Sequence, residues 1–87
     1  MKTITKTITI SIRLFGAFRK YGEVAVLEAP AGVGLEELKE LLSKWIGGAE
    51  APLVADSVFA NEKEVLAAGA VIEKDANLAV LPPVCGG

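Results

Sequence analysis

The amino-acid sequence predicts an α+β domain in which a mixed sheet of about four to five strands carries one main helix on one face. Two periodicities support this prediction. Apolar and polar residues alternate near the N-terminus, and leucines recur every three or four residues near the middle of the chain. The composition agrees, because 52% of the 87 residues are hydrophobic. Such a chain can bury a core without disulfides or metal ions.

The strongest strand prediction covers the eight residues 7–14, where every second residue is apolar. The apolar positions are Ile8, Ile10, Ile12 and Leu14, and Thr7, Thr9, Ser11 and Arg13 alternate with them. A period of two is typical of a strand that is buried on one face. The next stretch, FGAFRKYGE, is predicted to be a connection with a helical turn. A second strand over residues 23–28, ended by Pro30, then completes an antiparallel hairpin.

One amphipathic helix is predicted in the stretch GVGLEELKELLSKWIGG. Its apolar positions recur at three- and four-residue steps and share one face: Leu35, Leu38, Leu41, Leu42 and Trp45. Gly34 serves as the N-cap, and Gly47 and Gly48 end the helix. We therefore expect Trp45 to lie in the core at the helix end. Among the aromatic residues outside the helix, Phe15, Phe18 and Phe59 are also expected to be core.

The C-terminal half of the chain has weaker patterns. We predict a loop through Pro52, a strand over residues 57–60, a turn at residues 61–63 and a second turn at residues 75–77. The last strand, residues 78–81, is apolar at every position. That pattern fits a central strand covered by loops. It also fits an exposed apolar patch on the face without the helix, hence a protein-binding surface, and the two interpretations are compatible.

Several functional classes are excluded by composition. The chain has one cysteine and no histidine, so an internal disulfide, a histidine-based catalytic triad and a histidine metal site are impossible. The net charge is −2 and the nine Lys and Arg residues are scattered, which argues against a nucleic-acid partner. No apolar run approaches the roughly 20 residues of a membrane helix, and no signal peptide is visible. We expect a cytoplasmic protein.

The last seven residues, LPPVCGG, are the most informative segment. Pro82 and Pro83 lack backbone N–H groups, so they end the sheet and stiffen the chain into an extended path. Val84 and Cys85 lead to Gly86 and Gly87, which are slim enough for a narrow channel. We therefore predict a single domain over residues 1–81 and an extended C-terminal Gly-Gly tail over residues 82–87.

The tail and several upstream stretches together resemble one known family. The stretches are LPPVCGG, IRLFGAFRKYG, APAGVGLEELKELL, FANEKEV and VIEKDANLAVLPPV. They resemble the small, sulfur-carrying subunit of molybdopterin synthase in the MoaD/ThiS family, whose fold is the ubiquitin-like β-grasp. The chain departs from the family pattern at Leu81, where the family has an aromatic residue, and at Gly34, where it has Thr or Ser. It also departs at Glu62 and at Lys74-Asp75-Ala76, where the family has turn glycines.

This resemblance implies that Gly87 is the reactive residue, first as an acyl-adenylate and then as a thiocarboxylate. A ubiquitin-activating-like adenylyltransferase would use ATP and Mg²⁺, a sulfur donor protein would supply sulfur, and the large synthase subunit would receive the tail. The implied tail residues are Pro82, Pro83, Val84, Cys85 and Gly86, with Val80 and Leu81 at the partner interface. The chain would be a non-catalytic carrier that binds no cofactor, metal, nucleic acid or membrane.

Other functions remain open at this stage. The same tail suits a ubiquitin-like modifier joined through Gly87 to lysines of target proteins. It also suits a related carrier for thiamine, tungsten-cofactor or other thio-metabolite synthesis, whereas a plain binding module leaves the tail unexplained. A separate hypothesis is that the Cys85 thiol forms an adduct with Gly87 or with a partner cysteine. The alternative, which we favour, is that Cys85 occupies a variable position for small residues.

Overall fold

The architecture follows from a computed structural model that describes residues 6–48 and 50–83. Within these residues, six strands form two sheets: β1 (Thr7–Leu14), β2 (Val24–Pro30), β3 (Val33–Gly34), β4 (Val58–Ala60), β5 (Val71–Ile72) and β6 (Ala76–Leu81). The helices are α1 (Leu35–Trp45), α2 (Ala51–Ala55) and a 3-10 helix (Gly16–Tyr21). The predicted α+β class is therefore confirmed.

The main sheet has the order β2-β1-β6-β4, and β3 and β5 form a separate two-stranded sheet. β1 and β2 are an antiparallel hairpin in which Ile10 lies opposite Leu27. β1 and β6 are parallel, with Ile12 opposite Leu78, and β4 runs antiparallel to β6. The first and last strands of the chain thus lie side by side in the middle of the sheet. A parallel pair needs a long crossover, and the segment containing α1 supplies it.

α1 lies where the sequence predicted it and packs one face on the core. Leu35, Leu38 and Leu42 are buried. After the helix, the Gly47 N–H donates to the Lys44 carbonyl and the Gly48 N–H donates to the Ser43 carbonyl. This pair of hydrogen bonds is the Schellman arrangement, which needs a left-handed residue, and Gly47 has a φ of +84°.

The core lies between α1 and one face of the main sheet. The buried strand residues come from alternate positions: Ile8, Ile10, Ile12, Leu14, Ala25, Leu27, Ala29, Phe59, Leu78 and Val80. Phe18 in the 3-10 helix is also buried, as predicted for both Phe18 and Phe59. Phe15 and Trp45 were predicted to be core, and this was wrong, because both are exposed. Phe15 lies between β1 and the 3-10 helix, and Trp45 is the last residue of α1, so each is at an edge of the packed elements.

Several element boundaries differ from the predictions. The predicted loop through Pro52 contains α2, because Pro52 stands in its first turn, where a missing N–H costs nothing. β2 extends to Pro30, beyond the predicted end at residue 28. Proline is tolerated there because its missing backbone N–H falls at the end of the strand. The predicted turn at residues 75–77 is mostly strand, because β6 begins at Ala76. Asp75 instead accepts a 2.8 Å hydrogen bond from the Thr9 N–H and joins the start of β6 to β1.

The strands β3 and β5 were not predicted. Each has two residues, which is too short to show a period, and they pair through Val33 with Ile72. The predicted turn after β4 is confirmed, because the Asn61 side-chain oxygen accepts hydrogen bonds from the backbone N–H groups of Lys63 and Glu64, each 2.8 Å long. Among residues 6–48 and 50–83, no helix is both long and apolar enough to span a membrane.

Candidate functional site

The C-terminal tail begins directly after an inner strand of the main sheet. We call its first two residues, Pro82 and Pro83, the tail root. β6 is flanked by β1 and β4 and ends at Leu81, and Pro82 and Pro83 follow directly. Neither proline has an N–H to donate, so the hydrogen-bonded ladder stops there. Pro82 is half-buried and Pro83 is exposed. The chain therefore leaves the domain from a strand that is held on both edges, which gives the tail a rigid base.

Gly16, at the start of the 3-10 helix, touches this root. Its φ is +57°, in the left-handed region that glycine adopts readily. A Cβ at Gly16 would lie 2.9 Å from Pro82 Cγ and 3.7 Å from Pro82 Cδ. The backbone after β1 and the first tail proline are therefore in direct contact. This pairing was not predicted, since nothing local to Gly16 or Pro82 indicates their proximity.

The face of the main sheet opposite α1, which we call the open face, presents apolar and polar side chains in rows. Arg13 lies between Val24 of β2 and Ala79 of β6, and Ser11 lies between Val26 and Asn77. Val24, Val26 and Val58 are exposed large apolar residues of this face. A depression of about 570 Å³ lies here, lined by Ser11, Arg13, Val24, Ala60, Asn61, Glu62, Asn77, Leu78 and Ala79.

The open face continues to the tail root. Leu81 lies opposite Val58, and by strand alternation both side chains belong to this face. Leu81 is half-buried, so it retains surface for a partner. Val80 was predicted to share the partner interface, but its exposure is 0% and its side chain packs in the core. The surface beside the root is consequently made by Leu81 and Val58 rather than by Val80.

The remaining predicted site residues lie at or beyond the end of the described chain. Pro82 and Pro83 are placed as given above, whereas Val84, Cys85, Gly86 and Gly87 lie outside the described residues. The tail chemistry therefore stays a prediction from sequence. Within the described ranges, no group of three or more Cys, His, Asp or Glu side chains is arranged to hold a metal ion.

A polar cluster ties the 3-10 helix to the segment after α1. Lys20 Nζ lies 2.9 Å from Glu50 Oε2, and the Tyr21 hydroxyl donates a 3.1 Å hydrogen bond to the same oxygen. These contacts lower the pKa of the Glu50 carboxyl, with the Lys20 hydrogen bond as the main cause. The pKa of Lys20 is raised, mainly by its hydrogen bond to Glu50. The cluster holds the 3-10 helix, whose first residue contacts Pro82.

The solved structures that resemble this architecture include the following three. SAMP1 from Haloferax volcanii gives a TM-score of 0.72 at 16% sequence identity, covering 91% of this chain and 99% of that one. A candidate molybdopterin converting factor subunit 1 from Pyrococcus furiosus gives 0.70 at 19% identity, covering 88% and 99%. The ubiquitin-like (UBL) domain of Plasmodium falciparum Dsk2 gives 0.64 at 11% identity, covering 90% and 100%. The chain has the ubiquitin-like β-grasp fold.

The β-grasp fold that the sequence resemblance implied is therefore confirmed. No protein-family model and no curated protein matches the sequence. At identities of 11–19% the three structures establish the fold alone. Function has to be argued from the tail, its root and the open face of this β-grasp domain.

Proposed function

We propose that this β-grasp protein is a sulfur carrier whose C-terminal glycine, Gly87, is adenylated and then thiocarboxylated. The observation that carries the proposal is the continuity of β6 with the sequence LPPVCGG. A strand paired on both edges leads directly into Pro82 and Pro83, and the sequence then continues as Val84-Cys85-Gly86-Gly87. A rigid base with a thin tip suits a carboxylate that must enter partner active sites.

The proposed chemistry has two balanced steps. A Gly87 carboxylate oxygen attacks the α-phosphorus of ATP, forming the acyl-adenylate and releasing pyrophosphate. A hydrosulfide equivalent from a sulfur donor protein then attacks the acyl carbon, the bond to AMP breaks, and the thiocarboxylate forms with loss of a proton. Adenylation is needed because a free carboxylate has no good leaving group. Gly86 and Gly87 have no side chains to shield the acyl carbon.

Catalysis in this scheme belongs to the partners. A ubiquitin-activating-like adenylyltransferase supplies the ATP and Mg²⁺ site, and the carrier supplies the tail and the open face. Val24, Val26 and Val58 give that face exposed apolar surface, and Arg13 adds a positive charge among them. Exposed apolar surface with a polar rim is typical of protein–protein interfaces. We propose that the open face docks the adenylyltransferase, in the cytoplasm.

The receiving pathway that we propose is molybdopterin synthesis, with this chain as the small subunit of a hetero-oligomeric synthase. The fold likeness to a candidate molybdopterin converting factor subunit 1 supports this choice, as does the Pro82-Pro83-Val84 neck. The tail would enter the large subunit and deliver sulfur to the pterin precursor. Tethering sulfur to the carrier replaces a diffusing sulfide by a positioned one.

Intact-mass spectrometry tests the proposal. The chain is incubated with its adenylyltransferase, ATP, Mg²⁺ and a sulfur source, and the same reaction is run on a variant lacking Gly87. The expected result is a mass gain equal to the exchange of one oxygen for one sulfur, seen only when Gly87 is present. Adding the large subunit and the pterin precursor should then return the carrier to its original mass. No gain in the intact chain would overturn the proposal.

A ubiquitin-like protein modifier is the second candidate function. The likeness to the UBL domain of Dsk2 favours it, because the fold is shared with ubiquitin-like domains. This function predicts covalent products of higher mass, joined through Gly87 to lysines of target proteins. In the same experiment, conjugates that disappear on deletion of Gly87, without the sulfur mass gain, would select the modifier over the sulfur carrier.

A further inference from the structure

Only a glycine at position 16 is compatible with the contact to Pro82, for two reasons. The φ of +57° at Gly16 is unfavourable for residues that carry a Cβ. In addition, a Cβ would stand 2.9 Å from Pro82 Cγ, well inside the roughly 3.5–4.0 Å at which two carbon atoms pack. A side chain at position 16 therefore forces one of the two segments to move.

Of the two segments, the one that contains Pro82 has more freedom to move than the one that contains Gly16. Gly16 follows β1, whose residues are paired on both sides with β2 and β6. The 3-10 helix after Gly16 is anchored by buried Phe18 and by the Lys20–Glu50 contact. Pro82 follows the last paired residue of β6, and its ring fixes its own φ. A clash is thus relieved by rotating the chain at the Leu81–Pro82 junction.

We propose that Gly16 is a positioning residue that sets the direction in which the C-terminal tail leaves the domain. Pro82 packs in the space that the missing side chain leaves, and this packing fixes the first step of the tail. The five residues after Pro82 can reach at most about 17 Å, so a rotation at Pro82 shifts the region that the reactive carboxyl group can reach by up to several ångströms. The functional consequence rests on the proposed carrier function, whereas the steric relationship does not.

The test begins with two matched glycine substitutions, G16A and G47A. Gly47 also has a positive φ, of +84°, but a Cβ there meets no atom of residues 6–48 and 50–83 within 4 Å. Each variant should lower Tm by about 4–8 °C, because each places a Cβ in the left-handed region. Only G16A should alter the tail, because only Gly16 has Pro82 beside it.

Tail direction is measured without any partner by attaching a nitroxide to Cys85, the single cysteine of the chain. Paramagnetic broadening of backbone amides then reports which part of the domain the label visits. G47A should reproduce the wild-type broadening map, and G16A should change it. In G16A/P82A the proline ring is absent, so the Cβ at position 16 no longer clashes with it. The broadening map of this double variant should therefore shift back toward that of P82A alone. G16A/P83A is the matched control and should keep the changed map, since no Pro83 atom is among the neighbours of the Gly16 Cβ.

The rate of thiocarboxylation is the second readout. G16A should reduce kcat by about 10- to 100-fold with little change in KM, because the body still docks but the carboxyl group is misplaced. G47A should stay within about twofold of wild type. Identical broadening maps for G16A and G47A would overturn the positioning role, whatever the rates. If the wild-type chain is never thiocarboxylated, the proposed function fails, and the broadening maps still decide the role of Gly16.

Discussion

Lys20 and Glu50 form an ion pair in which Nζ and Oε2 lie 2.9 Å apart, joining the 3-10 helix to the segment after α1. The Tyr21 hydroxyl donates to the same Glu50 oxygen at 3.1 Å. The cluster joins two segments of the chain, and no sequence pattern indicates that these segments lie close together. It anchors the element whose first residue, Gly16, contacts the tail root.

The first prediction concerns pH. The folded-state pKa of Glu50 is lowered by Lys20 and Tyr21, so the charged carboxylate contributes stability at neutral pH that is lost as the pH falls and the group protonates. The Lys20 pKa is raised, so its contribution is lost only at strongly alkaline pH. E50Q should be less stable than wild type at pH 7, and the difference should shrink toward pH 3. Urea unfolding at both pH values measures it.

E28Q is the control for this pH experiment, because Glu28 is an exposed carboxylate on the open face. The free energy of unfolding of E28Q should differ little from that of wild type at both pH values. A stability difference between E50Q and wild type that is the same at pH 3 and pH 7 would contradict the role of the carboxylate charge.

The second prediction concerns the core under α1. Leu42 is completely buried and Leu41, its neighbour in the helix, is half-buried. L42A should lower the free energy of unfolding by about 2–5 kcal/mol, because it removes buried surface and leaves a cavity. L41A removes the same atoms from a site that water partly reaches, so its loss should be clearly smaller. Equal losses in denaturant titrations would show that α1 is rotated from the position described.

The third prediction tests the open face. Val26 on this face and Val71 on β5 are similarly exposed, at 55% and 51%. If the adenylyltransferase docks on the open face, V26S should raise the KM of the carrier by roughly 5- to 10-fold, as for an interface residue worth about 1 kcal/mol or more. V71S should leave KM unchanged, and neither variant should alter kcat. A larger effect of V71S would place docking at the β3–β5 sheet instead of the open face.

The fourth prediction concerns Cys85. Because thiocarboxylation uses the Gly87 carboxyl group and sulfur from a donor, C85S should form thiocarboxylate at the wild-type rate. Intact-mass spectrometry over a time course measures it, with the variant lacking Gly87 as the inactive reference. A slow C85S reaction, restored when cysteine is returned, would instead support the hypothesis that the Cys85 thiol forms an adduct during transfer.

Much of the fold could be predicted because the relevant patterns are local. β1 shows a period of two over its whole length, and α1 carries leucines at helical spacing between glycine boundaries. β3 and β5 have two residues each, so no period could reveal them. Trp45 fits the apolar pattern of α1, and Phe15 was expected in the core as an aromatic residue, but both are exposed because exposure depends on spatial neighbours rather than on residue type or spacing.

Part of the candidate site could likewise be predicted from the sequence, and part of it could not. The sequence by itself determined the Pro82-Pro83 break and the glycine tip, because proline and glycine act through their own covalent geometry. Only the tertiary structure decided that β1 and β6 pair in parallel, that Val80 turns inward while Leu81 faces the open side, and that Gly16 lies under Pro82. These relationships join distant parts of the chain. Burial of apolar surface selects them when distant segments pack together, and a short stretch of sequence does not specify which segment will be its partner.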